Sequence, residues 1–167
     1  MEKRLRKYTL DEVYISILTG KRVSNEEGWT KIQPVGQSVQ PSGSCILDAV
    51  VEALHGSRLR GKSQLAELLG VSANDLNGAI HLLTGLRLVD FVEQYRLMQA
   101  KEYLRCTGLR PEEIARRCGF ESAAAFYRMF RLLTGLSVGD YRREHRPANY
   151  RDLYTWEQKK QLHLQTN

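Results

Sequence analysis

Cysteine is scarce in this 167-residue sequence, and the three present, Cys45, Cys106 and Cys118, are odd in number and widely spaced. They make neither a disulfide framework nor a Cys-x-x-Cys zinc site. Cys118, in a helical pattern just before Gly119, reads as a small buried hydrophobe. Long apolar runs are missing, so no segment is expected to span a bilayer. The basic start, Met1 to Lys7, leads into neither an apolar stretch nor a small-residue cleavage site, and no secretion signal is expected. The four histidines (His55, His81, His145, His163) are scattered, and no carboxylates gather around a His or Cys at ligand spacing. With no phosphate loop either, the sequence predicts no catalytic centre, metal or cofactor. A reducing, cytoplasmic setting fits these absences. Alternating strand patterns are also missing, and the expected fold class is all-α.

Charge is present in excess of one sign. The net charge of +6 lies chiefly at the two ends: residues 1–44 hold 7 basic and 5 acidic side chains, residues 45–107 hold 7 and 7, and residues 108–167 hold 11 and 7. Nine of those last eleven are arginines, whose planar fork suits phosphate and guanine. The surplus points to an anionic partner without naming it.

Helical patterns are plentiful. Thr9 and Glu12 form a capping-box pattern before Leu10, Val13, Tyr14, Ile17 and Leu18, predicting a short helix over 9–19. Residues 21–44, broken by Pro34 and Pro41, read as a linker in which Trp29 stands out as a docking residue. From Cys45 the apolar stripe Ile46, Leu47, Val50, Val51 and Leu54 runs to Gly56. Further helices are expected from Ser63 to Leu69, from an N-cap at Ser72 to Gly85, and over 88–105. They continue over 111–118, with Pro111 in the first turn, then from Ser122 to Thr134 and from Ser137 to Glu144. Pro147 stops the last of these, and a polar helix around Leu153, Tyr154 and Trp156 is expected in the tail.

Two stretches of this series are the same unit. Leu83-Thr84-Gly85-Leu86 returns as Leu133-Thr134-Gly135-Leu136, Asp90 as Asp140 and Phe91 as Tyr141, at an offset of fifty. Leu76, Ile80 and Leu83 match Phe126, Phe130 and Leu133. Leu65-Ala66 with Gly70-Val71 matches Ile114-Ala115 with Gly119-Phe120 at forty-nine, so the second copy has one extra residue after its glycine. A short helix, a tight glycine turn and a second helix with an apolar inner face make a helix-turn-helix pattern. Its second helix, in the DNA-binding version, enters the major groove. Two copies, about 63–84 and 111–134, joined by the stiff 88–105 helix, suit successive grooves on one face of a duplex.

Residues 46–144 resemble the DNA-binding domain of the AraC/XylS family of bacterial transcription regulators. The resemblance lies in Leu65-Ala66-x-x-x-Gly70-Val71-Ser72 and in Phe91-Val92-x-x-Tyr95-Arg96-Leu97-x-x-Ala100-Lys101-x-x-Leu104. It is strongest from Ile114-Ala115-x-x-x-Gly119-Phe120 through Phe126-x-x-x-Phe130-Arg131, Thr134-Gly135 and Tyr141-Arg142. It implies two helix-turn-helix lobes joined by a long linker helix, flanked here by an arm (1–45) and a tail (145–167). Most matching positions are core and argue for the fold alone.

By position, the resemblance puts Ala123, Ala124, Tyr127, Arg128 and Arg131 on the outward face of the second recognition helix. Arg128 is the foremost base contact, and Arg131 meets a base or a phosphate. The first recognition helix offers Ala73, Asn74, Asn77, Gly78 and His81; Asn74 and Asn77 suit adenine. Arg60, Lys62, Ser72, Arg96, Arg110 and Ser122 are the phosphate candidates, with an interlobe salt bridge the alternative for Arg96. Among Arg142, Arg143 and Arg146, one pair with Asp140 or Glu144 is expected.

The sequence departs from the family at Gly78, often a long polar or basic residue, and at His81-Leu82-Leu83, usually richer in lysine. Gly78 weakens its helix by about 1 kcal/mol relative to Ala, so the second lobe should lead the reading. Residues 1–45 are short for the ligand-binding β-domain common in the family. They hold only Cys45, which excludes the cysteine-rich alkyl-transfer module sometimes fused to this fold. The predicted partner is double-stranded DNA, with RNA polymerase or another regulator as a further candidate and no membrane. The alternative is a co-regulator or anti-activator that keeps the fold but binds a protein through Trp29, Tyr154 and Trp156.

Overall fold

The computed structural model describes residues 4–35, 41–56, 58–59 and 61–156. Its helices are α1 (Leu10–Val13), α2 (Cys45–Gly56), α3 (Lys62–Leu69), α4 (Ala73–Thr84), α5 (Leu88–Cys106), α6 (Pro111–Arg117), α7 (Ala123–Thr134), α8 (Val138–His145) and α9 (Tyr150–Leu153). Three strands, β1 (Leu18–Ser24), β2 (Thr30–Pro34) and β3 (Tyr154–Trp156), form an antiparallel sheet in the order β2-β1-β3. No helix among the described residues is long and apolar enough to cross a membrane.

Two cores account for the two lobes, and α5 belongs to both. Its first half sends Leu88, Phe91, Val92 and Tyr95 into a core with Leu47, Val50, Leu65, Leu76 and Ile80. Its second half sends Leu97, Ala100, Tyr103 and Leu104 into a core with Ile114, Phe126, Phe130 and Tyr141. Phe126 and Phe130 are fully buried, each stabilising the second lobe by about 1.5–3 kcal/mol. The repeat shows in the helix ends too. Gly85 and Gly135 close α4 and α7 with left-handed backbone, and Thr84 and Thr134 each donate to the carbonyl four residues back and accept from the amide two ahead. From α2 to α8 the helix ends lie within a residue of those predicted, and α3 is capped by Gly61, not Ser63.

The all-α expectation needs correction at both ends of the chain. The Glu12 carboxylate accepts from the Thr9 amide at 2.7 Å, as the capping pattern predicts, but α1 lasts only four residues. The chain then runs extended along α5. Tyr14 packs on Tyr95 (5.1 Å between ring centres), and Ser16 Oγ donates to Glu102 Oε2 at 2.7 Å. Leu10 and Val13 join the first core, Ile17 and Leu18 the second. This single segment therefore ties the lobes together.

Residues 18–34, expected as helix end and linker, form a hairpin turned at Asn25–Trp29, where Asn25 Oδ1 accepts from the Trp29 amide at 2.8 Å. The tail, expected to be helical around Leu153, becomes β3 after the single turn of α9. It pairs Leu18 with Trp156 and Lys21 with Tyr154. Trp156 meets Tyr103 edge-on at 6.0 Å and lies under Arg117. Packing on the second lobe overrides weak local preference here.

Candidate nucleic-acid interface

The outward faces of α4 and α7 follow from what their inner faces bury. With Phe126 and Phe130 inside, helical spacing places Ala124, Tyr127, Arg128 and Arg131 on the exposed side. Ala123 is half-buried. With Leu76 and Ile80 inside, α4 exposes Asn74, Asn77, Gly78 and His81. Most residues expected on these faces are thus exposed, with Ala73 half-buried like Ala123, and their hydrogen bonds show which side chains are committed elsewhere.

Arg128 makes no hydrogen bond or ion pair among the described residues. Tyr127 does: its hydroxyl donates to Glu112 Oε1 at 2.8 Å, pinning α7 to the start of α6. Its own amide and this bond hold the Glu112 carboxyl below the usual carboxylate range. Asn77 is engaged as well. Its Oδ1 accepts from the amide of Leu88 at 2.9 Å, capping the N-terminus of α5, which the side chain of its own N-cap residue, Arg87, does not cap. Sequence spacing gave no hint of that bond, because it joins the middle of one helix to the start of the next.

The recognition helices differ at their starts. Ser72 and Ser122 are both N-caps, their hydroxyl oxygens accepting from the Asp75 and Ala125 amides at 3.1 Å. Ser72 also donates to Asp75 Oδ2 at 2.6 Å. Alanine replaces that aspartate at 125, and α7 has no acid in its first turn. Its first turn therefore lacks the carboxylate that α4 carries at Asp75, and the nearest acid in sequence, Glu121, stands before the cap.

Lys62 and Arg110 are exposed at the starts of α3 and α6. Arg60 lies outside the described residues. Arg96 is only 8 % exposed, and its guanidinium donates to the carbonyl of Leu59 while lying over the Phe120 ring at 5.9 Å. That geometry assigns Arg96 to the lobe interface and removes it from the phosphate set. Gly119 sits in the same contact, with φ +79° and with space for a Cβ only 2.3 Å from the Leu59 carbonyl oxygen.

Arg143 pairs with Asp140, as expected for one of the three late arginines. Arg142 instead turns inward to the carbonyls of Leu104 and Leu109. Tyr154 and Trp156, candidate anchors for a protein partner, pack on the second core. Trp29, by contrast, is 76 % exposed at the hairpin tip.

A helix-turn-helix domain family model matches residues 65–144. The chain is 26% identical over 144 residues to the uncharacterized helix-turn-helix-type regulator YtdP of Bacillus subtilis (strain 168), covering 80% of this chain and 18% of the relative. It is 30% identical over 105 residues to the transcriptional activator RhaR of Enterobacter sp. (strain 638), covering 62% of this chain and 37% of that one. The chain therefore spans well under two thirds of the length of either relative. Among solved structures, it superposes on the DNA-binding domain of AdpA, described as a global transcriptional factor in complex with a target DNA. The TM-score is 0.54 at 27% identity, covering 59% of this chain and 90% of that one.

Proposed function

We propose that the chain is an AraC/XylS-type regulator, since residues 65–144 match a helix-turn-helix domain and the chain superposes on the DNA-binding domain of AdpA, and that it regulates transcription by reading the major groove of DNA with α4 and α7, chiefly α7. The observation that carries this reading is the α7 face: exposed Arg128 and Arg131 on a Ser122-capped helix whose first turn holds no acid. Arg128 takes the base contact, bidentate to guanine O6 and N7, and Arg131 a base or phosphate. Tyr127, fixed by Glu112, presents its ring edge to a thymine methyl, while Ala123 and Ala124 let the helix approach closely. Asn74 and His81 supply a weaker reading in the first lobe, with Asn77 mainly holding α5. Lys62, Arg60, Ser72, Arg110 and Ser122 hold phosphates and set the register. We take 46–144 as the DNA-binding unit of a non-catalytic, cytoplasmic regulator, with RNA polymerase or another regulator as further partner.

The exposed Trp29 supports a second reading, in which the hairpin docks on a protein and the fold no longer reads DNA. Fluorescence anisotropy with a mixed-sequence duplex separates the two. The DNA reading expects affinity to fall steeply with salt, Arg131→Ala to weaken binding, and Trp29→Ala to leave it unchanged. Binding that is absent at low salt, or insensitive to Arg128→Ala and Arg131→Ala together, would sink it in favour of the protein partner.

A further inference from the structure

With no residue of α4 or α7 in its lining, an open cleft of about 380 Å³ lies between the end of α8 and the chain after it. Its lining includes three arginines, Arg142, Arg143 and Arg146, together with Gly139 and Tyr150, and contains no carboxylate. The parts are held in place. Arg142 is half-buried and fixed by donation to the carbonyls of Leu104 (3.3 Å) and Leu109 (2.5 Å). Tyr150 is buried, with the Arg146 guanidinium 4.2 Å from its ring centre, and its hydroxyl accepts from Arg151 Nε at 3.0 Å. Gly139 leaves one wall without a side chain.

Such a concentration of like charge works against itself. Burial depresses the Arg142 pKa, and the nearby Arg146 charge depresses it further. The Tyr150 phenol is pulled below its ordinary value by the Arg151 hydrogen bond and by the surrounding arginines. Asp140 answers Arg143, but it also accepts from Ser137 at the far end of α8 and does not line the cleft. A polyvalent anion in the cleft would relieve the repulsion between Arg142 and Arg146 while accepting from several guanidinium N–H groups at once. Tetrahedral phosphate, with three acceptor oxygens and up to two charges, fits converging forks better than a single carboxylate.

We propose that the cleft lined by Gly139, Arg142, Arg143, Arg146 and Tyr150 is a phosphate-binding site, separate from the base-reading face. The phosphate belongs either to the DNA backbone flanking the read sequence or to a free phosphorylated small molecule. Neither source depends on the base-contact assignments in α7.

The test uses the full chain and calorimetric titration with inorganic pyrophosphate at fixed ionic strength, with acetate as the carboxylate control. One saturable site is expected, weakened at least about tenfold by Arg146→Gln and by Arg143→Gln. Arg22→Gln on the hairpin controls for net charge and should change nothing. Arg143→Gln removes only an exposed ion pair, so the test survives if Arg146→Gln disturbs the packing on Tyr150. Absence of saturation, equal binding of acetate, or equal loss in Arg22→Gln would overturn the site. A second titration with a DNA-saturated sample identifies the source. Unchanged pyrophosphate binding means a free phosphorylated ligand. Displacement by DNA, with a salt slope reduced by about 1 in Arg146→Gln, means a backbone phosphate.

Discussion

Replacing Gly119 by alanine should separate the cost of a strained turn from the cost of breaking the lobe interface. Gly119 and Gly135 have nearly the same backbone, with φ +79° and +75°. An alanine at either costs about 1–2 kcal/mol for left-handed backbone. A Cβ at Gly135 would meet nothing within 4 Å, whereas a Cβ at Gly119 falls 2.3 Å from the Leu59 carbonyl oxygen and 3.4 Å from the Arg96 guanidinium. The contact partner is backbone, so the lobes must part by roughly 1 Å to reach ordinary contact distance. That movement breaks the bond from buried Arg96 to Leu59, and a hydrogen bond to a charged group is worth about 1.5–3 kcal/mol. Gly119→Ala should therefore lose roughly 3–5 kcal/mol in all, and Gly135→Ala about 1–2. For a chain of this size the first corresponds to a fall in Tm on the order of 10 °C and the second to a few degrees. Urea titration and calorimetry of both variants measure the difference. Equal losses would refute the interface argument, leaving only the turn.

Three further outcomes follow from side chains with a single clear task. Asn77→Ala should cost about 1–2 kcal/mol, because the Leu88 amide at the buried start of α5 loses its acceptor; a urea titration checks this, and an unchanged midpoint would return Asn77 to the base-reading set. Glu102 is buried, and desolvation raises its carboxyl pKa despite the Ser16 bond. As pH rises through the unfolded carboxylate range, the unfolded chain gives up that proton first, so stability falls until the folded group ionises too. Glu102→Gln should therefore match wild type near pH 3 and exceed it at pH 7; denaturation midpoints at the two pH values decide, and a variant weaker at pH 7 would contradict the sign. Trp156→Ala should remove the edge contact with Tyr103 and loosen β3, costing about 2–4 kcal/mol; a loss below about 0.5 kcal/mol would mean that the sheet adds little to the second lobe.

The helical body was legible because its signals are local. The stripes around Leu47, Leu76, Phe91, Phe126 and Tyr141 mark buried faces, Ser72 and Ser122 mark helix starts, and the recurring Leu-Thr-Gly-Leu marks the two turns. The sheet was not. Every residue of β2 is exposed, Lys21 and Arg22 interrupt any alternation in β1, and β3 has only three residues. Its pairings are long-range, with Thr19 and Thr155 bonding across a separation of 136 residues. The recognition faces could be read from helical spacing, but the commitments of their members could not. Asn77 and Arg96 are polar residues at permissive positions, and only the folded lobes show that one caps α5 and the other bridges to Leu59. The cleft behind α8 was foreshadowed only as an arginine surplus near the C-terminus.

The central claim, that α7 leads a sequence-specific reading through Arg128, is tested most directly by selecting bound duplexes from a random pool. Wild type and Arg128→Ala should be run in parallel at near-physiological salt. The account predicts one enriched motif for wild type. Arg128→Ala should keep that motif but relax one base position, with a cost of roughly 1–3 kcal/mol on the selected duplex. No enrichment by wild type, or identical motifs from both proteins, would contradict it.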